Sequence, residues 1–305
     1  MYSQIRTDLA LEAHESVKTS NKDVHSPIHG VEVRESYHKK SNTQITSVFI
    51  TTKNGAKAIG KPMGRYITIE APDMAGPDEG YHREIAAELA HQLHHMIPGL
   101  KKETSILVVG LGNRDVTADA LGPLVIDNLC ITRHILQEYG KAAYNKKRVH
   151  SISSLSPGVM AKNGMETAEI IKGVITQTKP NLMLVVDALA ARNIRRLSST
   201  IQLTDTGILP GSGVGNHRNA LTEESLGIPV IAIGVPTVVD AATIVKSVLE
   251  LPGFPNGAFD SDKPDVQKAF HDLHNMYVTG KDIDETIKRL SYTISEALNM
   301  AFELN

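Results

Sequence analysis

Hydrophobic and polar positions change rhythm along the chain. Residues 1 to about 44 are polar and mixed, without a period, and read as an arm or an irregular start to the fold. From Ile45 β-branched residues set in. The stretch ITSVFITT (45–52) and the alternating RYITIE (65–70) predict two strands, with Asn54-Gly55 as a hairpin-turn signal after the first. Pro72 and Pro77 punctuate before a helical pattern from about Glu79 to Met96, which Pro98-Gly99 stops. A different rhythm follows. SILVVG (105–110), NLMLVVD (181–187) and PVIAIG (229–234) are continuous apolar runs, as expected of strands covered on both faces. VHSISS (149–154) and 199–203 are weaker strand patterns, and helical patterns span 120–139, 166–178, 240–250 and 283–303. Residues 252–264 read as an irregular loop. This alternation predicts an α/β fold, a three-layer sandwich around a mostly parallel sheet, with 45–71 as a β-hairpin appendage.

Composition narrows the class. Of 305 residues, 41% are hydrophobic and 22% charged, the balance of a soluble globular chain. Aromatics are 4% and Trp is absent, so the core must be aliphatic. The net charge of −2 argues against a strongly basic nucleic-acid binder. No apolar run approaches the ~20 residues of a membrane span. Met1–Ala13 lacks the apolar stretch of a secretory signal. A single cysteine, Cys130, permits no intrachain disulfide and fits a reducing, intracellular setting. Within the 120–139 helical pattern it reads as a buried, inert thiol.

In open α/β sheets, function gathers at the carboxyl ends of the parallel strands. Three such ends carry a carboxylate: Asp119 after 105–110, Asp187 closing 181–187, and Asp240 after 229–234. Gly110 and Gly112 invite a dinucleotide reading, but Asp115 stands where the third glycine is needed, so they read as a tight turn. Asp119 and Asp240 also suit helix N-caps. Asp187 ends an apolar run and needs a partner in that low dielectric. Two acids on adjacent strand ends can share a proton or a cation and activate water either way. No Gly-x-Ser-x-Gly elbow sits at a strand-to-helix turn. Glu84, Glu88, His91 and His95 share one face of the 79–96 helix, but Gln92 breaks the zinc-protease signature, and a solvated face is the plainer reading. Arg192, Arg195 and Arg196, with His217 and Arg218 in the Gly-rich loop 211–215 and beyond, form a solvated basic surface or a cationic pocket for an acidic side chain.

The combination of Tyr2-Ser3 with RTDLA (6–10), LVVGLGN (107–113) with Val116-Thr117, DALGP (119–123), VDALAAR (186–192) and GVPTVVD (234–240) resembles the germination proteases of spore-forming bacteria. These stretches span almost the whole chain. The Gly-Leu-Gly-Asn turn is also similar to that of the hydrogenase maturation endopeptidases, which share the α/β fold and bind nickel. The resemblance implies an endopeptidase acting on small acid-soluble spore proteins in the forespore or spore core. It implies cutting after Glu or Asp and before an apolar residue, synthesis as a self-shortening zymogen, and a homotetramer. The catalytic aspartates would be Asp119 and Asp187, with no cofactor or with a divalent metal ion held by both, Asp240 being a third ligand or a structural cap. Asn113 would donate to the oxyanion, and Arg192, His217 and Arg218 would bind substrate. Asp8-Leu9-Ala10 has the order of such a cleavage site, which divides the chain into a pro-segment, 1–8, and one peptidase domain, 9–305. Neither nucleic acid nor membrane is an expected partner. A hydrogenase-type maturation peptidase and a non-catalytic peptide- or nucleotide-binding module are the alternatives.

Overall fold

The computed structural model describes residues 7–20, 28–39, 41–144, 148–211, 219–249 and 263–303. One nine-stranded sheet organises them. Its first strands are β1 (Val31–His38), β2 (Thr43–Ile50), β3 (Gly64–Glu70), β4 (Ser105–Gly110) and β5 (Ser151–Leu155). Next come β6 (Leu182–Ala191), β7 (Thr200–Thr204), β8 (Val230–Asp240) and the short β9 (Tyr277–Val278). The spatial order is β1-β2-β3-β7-β8-β6-β4-β5, with β9 on β8. Strands β8, β6, β4 and β5 are parallel, as their unbroken apolar runs predict. Strands β1, β2, β3 and β7 extend the sheet in antiparallel pairing.

Alternate residues of each strand feed opposite layers, as the period of 2 requires. Ile106 and Val108 face α3 (Glu79–Met96), α4 (Leu121–Asp127) and α11 (Ile283–Ala301), whereas Leu107 and Val109 face α7 (Thr167–Thr178). Helices α1 (Ala10–Ser20) and α2 (Lys53–Ile59) supply Ala10 and Ile59 to an apolar cluster with Val48, Ile50 and Tyr66 of β2 and β3. The three-layer α/β architecture expected from the sequence is present, but the sheet is mixed rather than mostly parallel: three strand pairings are parallel and five antiparallel among the described residues.

Several local expectations need correction. Asn54-Gly55 makes no hairpin turn. Thr52 accepts the Gly55 N–H at 3.1 Å and caps α2, which fills the connection from β2 to β3. Residues 45–71 are also no appendage, because β3 pairs with β7 over five residues and joins the main sheet. The 120–139 pattern breaks between α4 and α5 (Arg133–Tyr139). There Thr132 is fixed to β5, donating to the His150 carbonyl and accepting the Ile152 N–H. That break leaves Cys130 exposed rather than buried. The polar start holds α1 and β1. The charged, exposed face of β1 is what an edge strand carries. Most of the expected loop 252–264 lies outside the described residues.

The N-terminal helix is tied down by charge. Arg196, nearly buried, donates to Glu15 at 2.7 Å and to Glu70 at 2.9 Å. Burial opposes its charge, but the bonds to Glu15 and Glu70 outweigh this and hold its pKa above the ordinary value. Glu12, 2% exposed, accepts the backbone N–H groups of Arg192 and Asn193 at 2.7 and 2.8 Å.

His150 gives stability a pH dependence. Its ring accepts the Thr104 N–H at Nδ1 and donates from Nε2 to the Leu100 carbonyl at 3.2 Å, the pattern of a neutral imidazole. Burial pushes its pKa below the ordinary 6.5. Between that depressed value and 6.5 the unfolded chain binds more protons, so this contribution is complete above 6.5 and declines as pH falls. Denaturant unfolding at pH 7.5 and 5.5 should show a loss of stability at the lower pH. The loss should be smaller in His150→Gln, which has nothing to titrate.

Candidate active site

The carboxyl ends of β4, β6 and β8 open into a cavity of about 640 Å³. Asp119 and Asp187 both line it, together with Asp8, Lys61, Tyr66 and Gln202. Asp187 lies inside β6, buried, one residue past the Val186 that pairs with Gly110 of β4. Its Oδ1 accepts the Ala188 N–H at 3.0 Å. Asp119 sits in a single 3-10 turn, 117–119, between β4 and α4. Its Oδ2 accepts the Asn113 N–H at 2.8 Å. Thr237 of β8 donates to the Ala118 carbonyl at 2.6 Å and fastens this turn to the neighbouring strand.

Glycine makes this approach possible. Gly112 has φ +115°, and a Cβ there would lie 1.9 Å from the Asp119 carbonyl oxygen. A Cβ on Gly122 would lie 2.3 Å from the Leu111 carbonyl oxygen and 2.6 Å from that of Val186, so α4 abuts the strand ends directly. These glycines serve close packing around an acid, not a phosphate.

Other expected site residues lie elsewhere. The Asn113 side-chain oxygen accepts the Asp115 N–H at 3.1 Å, and it is the main chain of Asn113 that holds Asp119. Arg192 is outside the cavity wall. His217 and Arg218 lie outside the described residues. Asp240 is not part of the wall either. Its Oδ1 accepts the Thr243 N–H at 3.0 Å and its Oδ2 meets His274 Nδ1 at 3.0 Å, so it is the structural cap. Among the described residues no group of three or more His, Cys, Asp or Glu is placed to hold a metal ion. The three-aspartate ligand set therefore does not form. His91 and His95 are exposed on α3, whereas Glu88 on the same face is largely covered and pairs with His38 at 2.9 Å.

The sequence does not show that the N-terminal segment 7–9 is part of the site. Asp8 donates its N–H to the Ala190 carbonyl at 3.1 Å, and its Oδ2 accepts the Ala190 N–H at 2.9 Å. Leu9 is fully buried against Leu189, Ala191 and Val239. Lys61, between α2 and β3, donates to the carbonyls of Thr7 and Asp8 at 3.1 and 3.0 Å. Burial lowers the Lys61 pKa, while the charges of Asp8 and Glu12 raise it. Gln202 of β7 also donates to the Asp8 carbonyl, at 3.1 Å, and accepts the Ala10 N–H at 2.7 Å. Tyr66 stays a neutral phenol, burial pushing its pKa up to about 12, and it donates to the Pro62 carbonyl.

Comparison with known proteins decides the family. The germination protease profile matches residues 10–271. The chain belongs to the germination protease family. A germination protease of Caldanaerobacter subterraneus subsp. tengcongensis is 44% identical, over 98% of this chain and 94% of its own. That of Clostridium perfringens is 40% identical over 100% and 97%, and that of Bacillus velezensis 39% over 97% and 93%. Among solved structures, the [NiFe] hydrogenase maturation protease HycI of Thermococcus kodakarensis aligns with 68% of this chain and 98% of its own, at 21% identity and a TM-score of 0.33. As a germination protease the chain is a protein-cleaving hydrolase. No described helix is long and apolar enough to cross a membrane.

Proposed function

We propose that this chain is an endopeptidase that begins the degradation of small acid-soluble spore proteins during germination, cutting after Glu or Asp and before an apolar residue. It works in the forespore and spore core as a homotetramer. It is made as a zymogen that removes its first eight residues by cutting between Asp8 and Leu9. One observation carries this reading: Asp119, Asp187 and the acid of an Asp-Leu-Ala sequence share the wall of a single cavity.

The mechanism follows from two carboxylates lining one cavity. In this reading one carboxylate serves as the base and the other as the acid, the division of roles that two close like charges favour. The ionised member takes a proton from water as the water oxygen bonds to the peptide carbonyl carbon. The protonated member passes its proton to the departing amine nitrogen. Asp187 is held in β6 and Asp119 by the Asn113 N–H, so neither needs to reorganise during the reaction. Were a divalent ion used, Asp119 and Asp187 would hold it, and it would supply a bound water of lowered pKa.

Intact-mass analysis of the purified full chain tests this. Incubation should release the peptide of residues 1–8 and leave a chain beginning at Leu9. An added peptide containing Glu-Leu-Ala should be cut after Glu. A protein that stays whole and leaves the peptide whole, at any pH and with any metal added, contradicts the reading.

A further inference from the structure

The donors around the Asp8 carbonyl carry an inference about how the reaction is accelerated. In the sheet register, Gln202 of β7 pairs with Gly234 of β8, and Gly234 pairs with Asp187 of β6. Residues in register point to the same face, so Gln202 and Asp187 share one face, two strand spacings or about 10 Å apart along the sheet. Gly234 has no side chain of its own, and the Leu189 side chain lies over it, 2.4 Å from where a Cβ would be. The Asp8–Leu9 segment crosses this face. Its carbonyl oxygen takes two donors, Lys61 Nζ at 3.0 Å and Gln202 Nε2 at 3.1 Å. Gln202 contacts main-chain atoms on both sides of the Asp8–Leu9 bond, the Asp8 carbonyl and the Ala10 N–H. This contact is indifferent to side-chain identity and suits any extended peptide laid along the same path.

The geometry points to Lys61 and Gln202 as the pair that holds the scissile carbonyl, in this chain's own cleavage site and in protein substrates. The inference rests on Asp119 and Asp187 being the hydrolytic pair. When the water oxygen bonds to the carbonyl carbon, the C=O π pair moves onto oxygen. The negative charge then forms where an ammonium and an amide N–H are already aimed, at the distances such donors need. Collapse returns the pair, breaks the C–N bond and sends the amine away with its proton. Release of residues 1–8 takes the Asp8 carbonyl away from both donors, and an incoming substrate carbonyl can then take its place. Lys61 contributes a full charge and Gln202 a neutral dipole, so Lys61 has the larger effect. Neither residue belongs to a motif visible in the sequence. They converge only because β3 and β7 are neighbours in the sheet.

The test uses the full chain and a quenched fluorescent peptide containing Glu-Leu-Ala, with Lys61→Met, Lys61→Arg, Gln202→Met and Asp187→Asn prepared alongside the parent. Thermal melts screen each variant for folding. Lys61→Met should lower kcat by about 10²–10³-fold with KM within about 3-fold of the parent, the size expected for one lost oxyanion donor. Gln202→Met should lower kcat by about 10-fold or more. Lys61→Arg keeps a charge and donors, and should recover part of the loss. A role limited to fastening the N-terminal segment would lower the melting temperature and leave kcat on the added peptide unchanged. If Lys61→Met and Gln202→Met keep kcat near the parental value, or change KM alone, while Asp187→Asn is inactive, the carbonyl-holding role is wrong and the aspartate pair stands. If the parent itself cuts neither its own chain nor the peptide, the aspartate reading falls and this inference falls with it.

Discussion

Asp187→Asn and Asp119→Asn should each reduce peptide hydrolysis by about 10³-fold or more, with both proteins folded. General acid–base groups contribute about 10²–10⁴-fold each, and two carboxylates sharing one proton act as a unit. The double variant should therefore be little worse than either single one. The replacements are close in shape. An Asn at 187 keeps an oxygen for the Ala188 N–H, now 3.0 Å away, and an Asn at 119 keeps one for the Asn113 N–H. Melting temperatures should thus stay within a few degrees of the parent. The readouts are initial rates on a Glu-Leu-Ala peptide and the self-release of residues 1–8, scored by mass. An Asp187→Asn protein that cuts at near the parental rate would remove Asp187 from the chemistry.

The second large effect should come from adding one methyl group. Gly112→Ala places a Cβ 1.9 Å from the Asp119 carbonyl oxygen and 3.1 Å from Asp119 Oδ1, at φ +115°, a conformation L residues rarely adopt. Backbone has to move, and the backbone in the way carries Asp119. Activity should fall at least 10²-fold, since an error of about 1 Å in a reacting group costs about that much. Gly164→Ala is the control. Gly164 also has positive φ, +74°, but nothing lies within 4 Å of its Cβ position, and it is not part of the cavity wall. It should lose a little stability and keep most of its activity. The comparison separates backbone strain in general from displacement of Asp119. Equal activity in both variants would mean that the 117–119 turn tolerates movement.

Legibility followed burial. Strands β4, β6 and β8 are covered on both faces, and their apolar runs showed where the strand ends, and so Asp119 and Asp187, would lie. Edge and surface elements were harder to read. Strand β1 carries Glu32, Arg34 and Glu35 as the edge strand among the described residues, and its alternation is lost among charges. Helix α1 reads as mixed because its acids are used internally, Glu12 on two N–H groups and Glu15 on Arg196. Asn54-Gly55 misled because a dipeptide does not show that Thr52 upstream will cap a helix. Arg196 looked like part of a cationic pocket because its partners are more than a hundred residues away for Glu70 and Glu15. Lys61 and Gln202 were invisible for the same reason. Their chemistry exists only where the antiparallel extension brings β3 beside β7, and no local spacing encodes that juxtaposition.

If two acids arm a water molecule for direct attack on the peptide carbonyl, the new oxygen comes from solvent. Self-cleavage of the full chain in ¹⁸O-enriched water, followed by mass analysis of the released octapeptide and of the peptides containing Asp119 and Asp187, reads this out. Direct attack puts one ¹⁸O in the new α-carboxylate of Asp8 and none in Asp119 or Asp187. Label in the side chain of Asp119 or Asp187 would reveal a covalent acyl intermediate and contradict direct attack by water.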